Sequence, residues 1–373
     1  MNKSLTPGLY VHVPFCRTKC PYCAFYSLPS PALIPRWMEA LQREIQFYRD
    51  RFPLFDTLYL GGGTPTVLSH VQWSDLMETL FNAFNISPDA EITVEANPDD
   101  VTPGLMGLLH RLGVNRVSLG VQSFDDRELH TLKRRHNARG AIEALDCIRD
   151  AGFSNVGVDL MYGLPGQGEE MWLKTLGGAL AFRPEHISCY QFTVEAKTPF
   201  GRMRDKGMIA PLDEEQERAF FISTSDFLRE KGYVHYEISS YARGLTFTSR
   251  HNMKYWQQAP YLGFGPSAHS FDGNRRWWNL SSVQDYCQAL SRGKVPVAGH
   301  ETLSKEQHRM ESLLLGFRIK DGFDFRTLEK MPGHKKLLRD LERGGLVRVE
   351  AGRVMPTDEG FLVADSLPLL FSL

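Results

Sequence analysis

The sequence has no long hydrophobic run and no excess of charge of either sign. Its longest apolar stretches, such as Leu367–Phe371, are far shorter than the roughly 18 residues that a membrane-spanning helix needs. Forty-three Lys and Arg residues stand against 44 Asp and Glu residues, a formal net charge of -1. This balance gives no support for binding to nucleic acid or to a charged membrane surface.

Cysteine is scarce, with six among 373 residues, which excludes a disulfide-rich secreted scaffold. The N-terminal segment lacks the pattern of a signal peptide because Pro7, Gly8 and Pro14 interrupt any apolar core. We therefore expect a cytoplasmic protein, in which closely spaced cysteines are metal ligands or catalytic thiols more often than disulfides. Three of the six lie within eight residues of one another: Cys16, Cys20 and Cys23.

The first half of the chain alternates short β-branched runs with longer amphipathic segments. Six strands, apolar enough to be buried on both faces, are predicted at Leu9–Val13, Thr57–Leu60, Glu91–Glu95, Arg116–Leu119, Val156–Leu160 and His186–Tyr190. Between them, Ser69, Thr102 and Asn137 are placed to cap helices. Strands separated by helices form right-handed βαβ units, so the pattern predicts an α/β fold with a parallel sheet. Of an open barrel and a doubly wound sheet, we favour the partial (β/α)6 barrel, with functional groups at the carboxyl ends of its strands.

Changes in composition predict three parts of the chain. Residues 1–195 would form the barrel, and the aromatic-rich residues 196–300 would form a connecting extension that completes its core. Residues 301–373 resemble a small winged-helix module, with a hairpin at Leu346–Val349 and Arg353–Met355. The helix before this hairpin carries charges of both signs, so we expect a structural or partner-docking role and no binding to DNA.

The clustered cysteines follow the first predicted strand with the spacing C-x3-C-x2-C. Three soft sulfur ligands suit an iron–sulfur cluster or zinc. Structural zinc would need a distant fourth ligand, and a redox dithiol formed by Cys20 and Cys23 would leave Cys16 unused. A four-iron cluster held by three thiolates has one open iron, to which a small chelating molecule could bind.

Further motifs occur at or just after the predicted strands, and together they carry a resemblance to a known family. They are Tyr10–Cys16 (YVHVPFC), Gly61–Thr66 (GGGTPT), Glu91–Glu95 with Asn97-Pro98, Gly120–Phe124 (GVQSF) and Asp159–Pro165 (DLMYGLP). The sequence resembles the radical S-adenosylmethionine (SAM) superfamily, in particular the oxygen-independent coproporphyrinogen III oxidase-like group. The resemblance covers nearly the whole chain.

This resemblance implies a [4Fe-4S] cluster on Cys16, Cys20 and Cys23, with SAM on the open iron. In the superfamily the reduced cluster cleaves SAM to methionine and a 5′-deoxyadenosyl radical. The residues implied in SAM binding are Tyr10, Tyr22, Gly62, Gly63, Thr64, Glu95, Gln122, Arg134 and Asp159. If the family resemblance is set aside, each of these residues has a simpler interpretation. The glycines suit a tight turn, Glu95 could be a solvated carboxylate at the end of a strand, and Arg134 could belong to a solvated run of charges.

Two departures separate this sequence from the oxidase itself. Phe25 stands where the oxidase carries a fourth cysteine, and only nine residues precede Tyr10, so the N-terminal extension of the oxidase is absent from this sequence. Both departures favour the haem-chaperone branch, the HemW-like proteins, whose H-N-x-x-Y-W motif matches His251–Trp256.

The resemblance to this branch implies that His251 contacts haem, with His269 as a secondary candidate. The alternative for His251 is a hydrogen-bonded histidine in the core. We expect a haem chaperone that binds haem, the cluster and SAM and passes haem to an acceptor haem protein, for example a respiratory one. The alternatives are a coproporphyrinogen III oxidase and a zinc-stabilised partner-binding module, and the oligomeric state stays open.

Overall fold

A computed structural model of the chain describes residues 5–329 and 331–371. The barrel strands are β1 (Gly8–Val13), β2 (Phe55–Gly62), β3 (Ile86–Ala96), β4 (Arg116–Gln122), β5 (Val156–Tyr162) and β6 (His186–Gln191). The helices between them are α1 (Ile34–Tyr48), α2 (His70–Ala83), α3 (Pro103–Arg111), α4 (Asp126–Thr131), α5 (Ala138–Asp150) and α6 (Glu169–Leu180). All six predicted strands are confirmed, and each extends beyond its predicted bounds.

Helices α2, α3 and α5 begin directly after the residues that the sequence predicts as their N-caps. Ser69 and Gln72 form a reciprocal capping box at the start of α2, and the side chains of Thr102 and Asn137 accept backbone hydrogen bonds at the starts of α3 and α5. These caps satisfy amides that have no partner within the helix. The boundaries of the barrel helices are therefore set by local sequence.

Residues after β6 extend the same sheet at both of its edges. They form α7 (Pro199–Asp205), α8 (Glu214–Glu230), β7 (Val234–Glu237), β8 (Ser240–Ala242), α9 (Arg250–Trp256), β9 (Tyr261–Phe264), β10 (His269–Phe271), β11 (Arg275–Asn279), α10 (Val283–Ser291) and β12 (Val297–Thr302). Within the described residues the sheet has twelve strands in the order β12-β11-β10-β9-β1-β2-β3-β4-β5-β6-β8-β7. Strands β1 to β6 run parallel, β9 joins β1 in parallel, and β8 joins β6 antiparallel.

Alternate residues of the barrel strands face two different environments. In β1, Leu9, Val11 and Val13 pack in the main hydrophobic core, whereas Tyr10 and His12 hydrogen-bond to each other outside that core. Buried polar residues continue along the neighbouring strands: Thr57, Glu91, Thr93, Arg116, Ser118, His186 and Ser188. The expectation that the strands are buried on both faces is confirmed, but it is wrong in making both faces apolar, because this second face lines the inside of the barrel and carries polar side chains.

The C-terminal part forms a small winged-helix-like module with its own core. Its elements are α11 (Lys305–Gly316), β13 (Phe323–Asp324), α12 (His334–Arg343), β14 (Val347–Glu350), β15 (Arg353–Pro356) and α13 (Asp358–Leu362). The strands form a separate sheet in the order β13-β15-β14 over a second hydrophobic cluster. The backbone joins this module to the barrel extension, since the Lys320 amide donates to the Tyr236 carbonyl at 2.9 Å.

The α/β class, the partial barrel and the C-terminal module are thus confirmed, while the boundaries 1–195, 196–300 and 301–373 stay predictions. Among the described helices, none combines the length and the apolar character needed to cross a bilayer.

Candidate functional site

The clustered cysteines lie in the loop after β1, at the carboxyl end of the barrel. Backbone hydrogen bonds pin both ends of this loop: the Cys16 amide donates to the Leu28 carbonyl at 3.1 Å, and the Leu28 amide donates to the Pro14 carbonyl at 2.9 Å. In the centre, the Cys23 amide donates to the Cys20 carbonyl at 3.2 Å. All three cysteines are free thiols and are partly buried. The loop therefore presents three sulfur donors beside the mouth of the barrel.

A chain of hydrogen bonds connects two of these cysteines through other strand ends. The Thr64 hydroxyl donates to Cys16 Sγ at 3.3 Å, and Asn97 Nδ2 donates to Thr64 Oγ1 at 2.9 Å. Arg134 Nη2 donates to Asn97 Oδ1 at 2.5 Å, and Arg134 Nη1 donates to Cys20 Sγ at 3.5 Å. The motifs after β2 and β3 and the segment after α4 thus converge on the cysteine loop.

Arg134 is not a solvated member of a charge run. Its side chain is partly buried, and it also donates to the Gly120 carbonyl at 2.7 Å and to the Tyr22 hydroxyl at 3.5 Å. The next residue, Arg135, turns to a different partner and pairs with Asp100 at 2.9 Å. One guanidinium of this run therefore faces the cysteine loop.

The glycines after β2 are required by close packing. Gly62 has φ +102°, and a Cβ there would lie 2.3 Å from Nδ1 of the buried His12. At Gly63 a Cβ would lie 2.6 Å from the Phe15 carbonyl oxygen. A side chain at either position would force the turn away from the cysteine loop. The tight-turn interpretation of these glycines is therefore correct, and it does not exclude a ligand contact.

Glu95 ends β3 inside the mouth of the barrel. Its carboxylate accepts a hydrogen bond from the Tyr59 hydroxyl at 2.7 Å and another from the Gly62 amide at 3.0 Å. Burial raises the pKa of Glu95 to about 7, and the nearby charge of Asp159 acts in the same direction. Glu95 is thus poised to change charge near neutral pH, unlike a solvated carboxylate.

Asp159 lies deeper in the barrel than the sequence predicts. β5 continues to Tyr162, so Asp159 is inside the strand rather than at its end. Its carboxylate accepts a hydrogen bond from the Ser118 hydroxyl, 3.1 Å and 3.3 Å from its two oxygens, and burial raises its pKa. The strand was predicted too short because Met161 and Tyr162 continue the buried run into the next motif.

Gln122 occupies a strained position at the end of β4. It has φ +71°, which is uncommon for a residue other than glycine, and the pairing register with β5 shifts at this point. A Cβ on Gly120 would lie 3.1 Å from Gln122 Nε2 and 3.3 Å from Asn97 Oδ1, so the Gln122 amide lies next to the network that reaches Cys20. Such strain is typical of functional sites.

His251 lies at the opposite end of the barrel from the cysteine loop. It contacts the start of β1, where a Cβ on Gly8 would lie 3.2 Å from its ring, and its amide donates to Glu91 at 2.9 Å. The cysteine loop begins after Val13, five residues further along β1, which corresponds to roughly 16 Å of strand. Tyr10 lies between the two ends, with its hydroxyl 3.0 Å from His12 Nδ1 and its ring centroid 6.4 Å from that of His251.

Both ring nitrogens of His251 are already engaged. Nδ1 is 2.8 Å from the Thr57 hydroxyl, and Nε2 is 2.9 Å from the Tyr255 hydroxyl. The residue is 1% exposed, and burial lowers its pKa to about 3. In this arrangement His251 is a neutral histidine that closes the end of the barrel.

The structure therefore divides the predicted site residues into three groups. At the mouth lie Cys16, Cys20, Cys23, Tyr22, Gly62, Gly63, Thr64, Glu95, Gln122 and Arg134. Tyr10 and Asp159 lie deeper, and His251 lies at the far end. The sequence interpretation placed Asn97 in a family motif but gave it no role in the site; in the structure it joins Thr64 to Arg134.

The cleft beside Cys20 is rich in cations. Arg17, Lys133, Arg134 and Arg135 line it together with Asp99. Among the described residues, no three His, Cys, Asp or Glu side chains converge on the position of a single metal ion. A four-iron cluster takes its thiolates on different irons, so the cysteine loop suits a cluster better than a mononuclear zinc site. The cations would stabilise an anionic ligand beside the cysteines.

Comparisons with known proteins find relatives of the barrel and of nearly the whole chain. The model of the radical SAM superfamily matches residues 10–177. A protein named heme chaperone HemW from Mycobacterium tuberculosis is 33% identical over 368 residues, which cover 96% of this chain and 93% of that protein. The heme chaperone HemW of Bacillus subtilis is 32% identical, over 96% and 97% of the two chains.

Among solved structures, the coproporphyrinogen III oxidase HemN of Escherichia coli superimposes with a TM-score of 0.84. The match covers 99% of this chain and 90% of that chain at 24% sequence identity. At this identity the likeness shows a shared fold.

Proposed function

Because this chain belongs to the radical SAM superfamily and, within it, to the family of HemW haem chaperones, we propose that it binds haem, a [4Fe-4S] cluster and SAM. We propose further that it passes haem to an acceptor haem protein, for example a respiratory one. The cysteine loop is the structural observation that carries the cluster assignment. Its three thiols lie beside the Arg134 guanidinium, and Phe25, at the position of the oxidase's fourth cysteine, is 71% exposed.

Cys16, Cys20 and Cys23 would hold the cluster. When bound, the cluster supplies an open iron to which the amino and carboxylate groups of SAM attach. The donor set fits: soft sulfur atoms suit iron, and Arg134 lies next to Cys20 with its Nε buried and without a partner among the described residues. Arg134 would therefore orient the SAM carboxylate while it stabilises the Cys20 thiolate.

The other mouth residues would complete the SAM site. Glu95 would accept hydrogen bonds from the ribose or amino group of SAM, and Tyr22 and Gln122 would line the opening. The amides of Gly62, Gly63 and Thr64 already donate to protein acceptors, so the glycine turn would give SAM a close surface rather than amide donors. Tyr10 and Asp159 would bound the site from inside the barrel.

The placement of haem is a separate question. Iron coordination by His251 would require the Tyr255 hydroxyl to leave Nε2, 2.9 Å away, so the present arrangement of His251 does not fit an iron ligand. His269 of β10 stacks on Trp278 of β11 at 6.0 Å between ring centroids, in the part of the sheet that extends beyond β1. Haem titration of His251→Ala and His269→Ala tests these two candidate contacts.

The free thiols support a reducing compartment, in keeping with the cytoplasmic location that the sequence predicts. The near-zero net charge and the mixed charges of α12 support the expectation that nucleic acid is not a partner.

One experiment tests the proposed function against the oxidase alternative. Anaerobically reconstituted protein is titrated with haem and, in a parallel sample, supplied with coproporphyrinogen III, SAM and a reductant. We expect saturable haem binding at micromolar concentration and no formation of protoporphyrinogen or CO2. Absence of haem binding contradicts the proposal, and turnover of coproporphyrinogen would establish the oxidase.

A further inference from the structure

A cavity of about 510 Å³ lies at the amino end of the barrel, away from the cysteine loop. Thr6, just before β1, and Asp56, at the start of β2, form its floor, and α9 forms one wall. Lys320 and Asp321 of the C-terminal module close the other side. Cavities of a few hundred Å³ or more are large enough to hold a cofactor-sized ligand.

Helix α9 presents different residues to the barrel and to this cavity. His251 and Tyr255 face inward, where they hydrogen-bond to each other and the His251 ring stacks with those of Tyr10 and Tyr59. Arg250, Met253 and Gln257 line the cavity instead. The motif His251–Trp256 therefore builds two surfaces, and only the second is open to a ligand.

The cavity combines apolar surface with a cation that has no ion pair. Leu245, which is 68% exposed, lies with Leu5 and Met253 along it. Lys254 pairs with Asp56 at 2.5 Å, whereas Lys320 is exposed and makes no salt bridge within the described part of the chain. An apolar body with an anionic edge is the ligand chemistry that such a lining complements.

Two side chains of the lining, Tyr236 and Met253, carry atoms that could ligate iron. The Tyr236 hydroxyl is already engaged, 2.7 Å from His186 Nε2 and accepting from the Ser249 amide at 3.2 Å. The backbone of Met253 is bonded within α9, but its thioether has no hydrogen-bond partner in the described structure, and a thioether is an established type of axial ligand for haem iron.

Resting on the proposed function, we propose that this cavity is the haem-binding site of the chain. The apolar macrocycle packs against Leu5 and Leu245, a carboxylate of the porphyrin pairs with Lys320, and the Met253 thioether ligates the iron. His251 then supports the cavity wall from within the barrel and does not touch the haem.

The test uses two probes, haem and metal-free protoporphyrin IX, with full-length, cluster-loaded protein. Lys320→Glu reverses the charge at the carboxylate and should weaken binding of both probes by about tenfold or more. Met253→Leu keeps the apolar volume but removes the sulfur, so it should shift the Soret band of haem and weaken haem binding while leaving protoporphyrin binding unchanged. The matched controls are Lys336→Glu and Met208→Leu, which replace exposed residues outside the cavity.

The outcomes separate this inference from the proposed function. If the unchanged protein binds haem and both cavity variants bind both probes as it does, the cavity assignment is overturned and the proposed function stands. If Lys320→Glu weakens binding and Met253→Leu has no effect, the assignment of haem to the cavity is retained but Met253 as the iron ligand is refuted. If the unchanged protein binds no haem, both proposals fail. Far-UV circular dichroism and iron content verify that each variant folds and holds its cluster.

Discussion

The guanidinium of Arg134 lies 3.5 Å from Cys20 Sγ. This geometry places a fixed positive charge next to one of the three sulfur atoms of the cysteine loop. The same guanidinium is held by Asn97 Oδ1 at 2.5 Å and by the Gly120 carbonyl at 2.7 Å. Arg134 thereby joins the cysteine loop to the ends of two strands that lie about 80 and 100 residues further along the chain.

Replacing Arg134 should impair SAM binding more than it impairs folding. Arg134→Gln removes the cation beside Cys20, so we expect the affinity for SAM to fall about tenfold or more, as for a lost charge-assisted hydrogen bond. Isothermal titration of cluster-loaded protein measures this change. Arg139→Gln, the same change at an arginine of α5 whose side chain is 85% exposed outside the cleft, should leave the affinity within about twofold; equal effects of the two variants would refute the role of Arg134.

The cysteine assignment predicts unequal effects of three substitutions. Cys20→Ser should abolish iron loading while the chain stays folded, because serine is a poor ligand for iron in a thiolate site. Cys147→Ser, in a partly buried cysteine on α5, should load normally. Phe25→Cys should add no iron, since the three native cysteines suffice. Iron and sulfide analysis after anaerobic reconstitution measures all three, and survival of iron in Cys20→Ser would show that the ligand set is wrong.

Gly62 and Gly166 form a matched pair for testing the glycine turn. Both have positive φ, at +102° and +78°, but only at Gly62 would a Cβ meet another atom, 2.3 Å from the His12 ring. Alanine at either position should cost about 1–2 kcal/mol of unfolding free energy from backbone strain. Gly62→Ala should lose about 1–3 kcal/mol more through overpacking. Urea unfolding compares the two, and equal losses would contradict the close packing described at Gly62.

SAM binding should depend on pH through Glu95. Because burial raises the pKa of Glu95 to about 7, lowering the pH from 8 to 6 converts its carboxylate to the neutral acid. The neutral acid attracts the cationic ligand less, so the affinity for SAM should fall over this range. Glu95→Gln should bind more weakly and show a flatter profile. Binding isotherms at pH 6, 7 and 8 measure the trend; identical pH profiles for the two proteins would exclude Glu95 as its source.

The strands and helices of the barrel are predicted well because the sequence signals that set them are local. Caps such as Ser69 and Asn137 satisfy helix amides within a few residues, and buried runs such as Val156–Leu160 mark strands. The interior of the barrel was harder to predict, because residues such as Glu91 find their partners, here the amides of Arg250 and His251, only when distant segments meet. Burial of such a polar side chain depends on tertiary contacts that no local pattern encodes.

The site residues could be predicted where a sequence motif fixes the backbone. They could not be predicted where a side chain has several alternative partners and the fold determines which one it contacts. The spacing of Cys16, Cys20 and Cys23 indicates one ligand set directly. By contrast, Arg134 and Arg135 are indistinguishable in the sequence, and only the fold aims the first at Cys20 and the second at Asp100. His251 shows the same limit, since the fold satisfies both of its ring nitrogens.

The most direct test of the central claim is a haem-transfer measurement. Haem-loaded protein is mixed with increasing amounts of haem-depleted respiratory membranes or, as a trap for released haem, with apomyoglobin, and loss of its Soret absorbance is followed. Direct handover predicts a rate that rises with membrane concentration and exceeds the rate with apomyoglobin, which stays constant because release limits it. The same concentration-independent rate with both acceptors would show passive release and contradict a chaperone function.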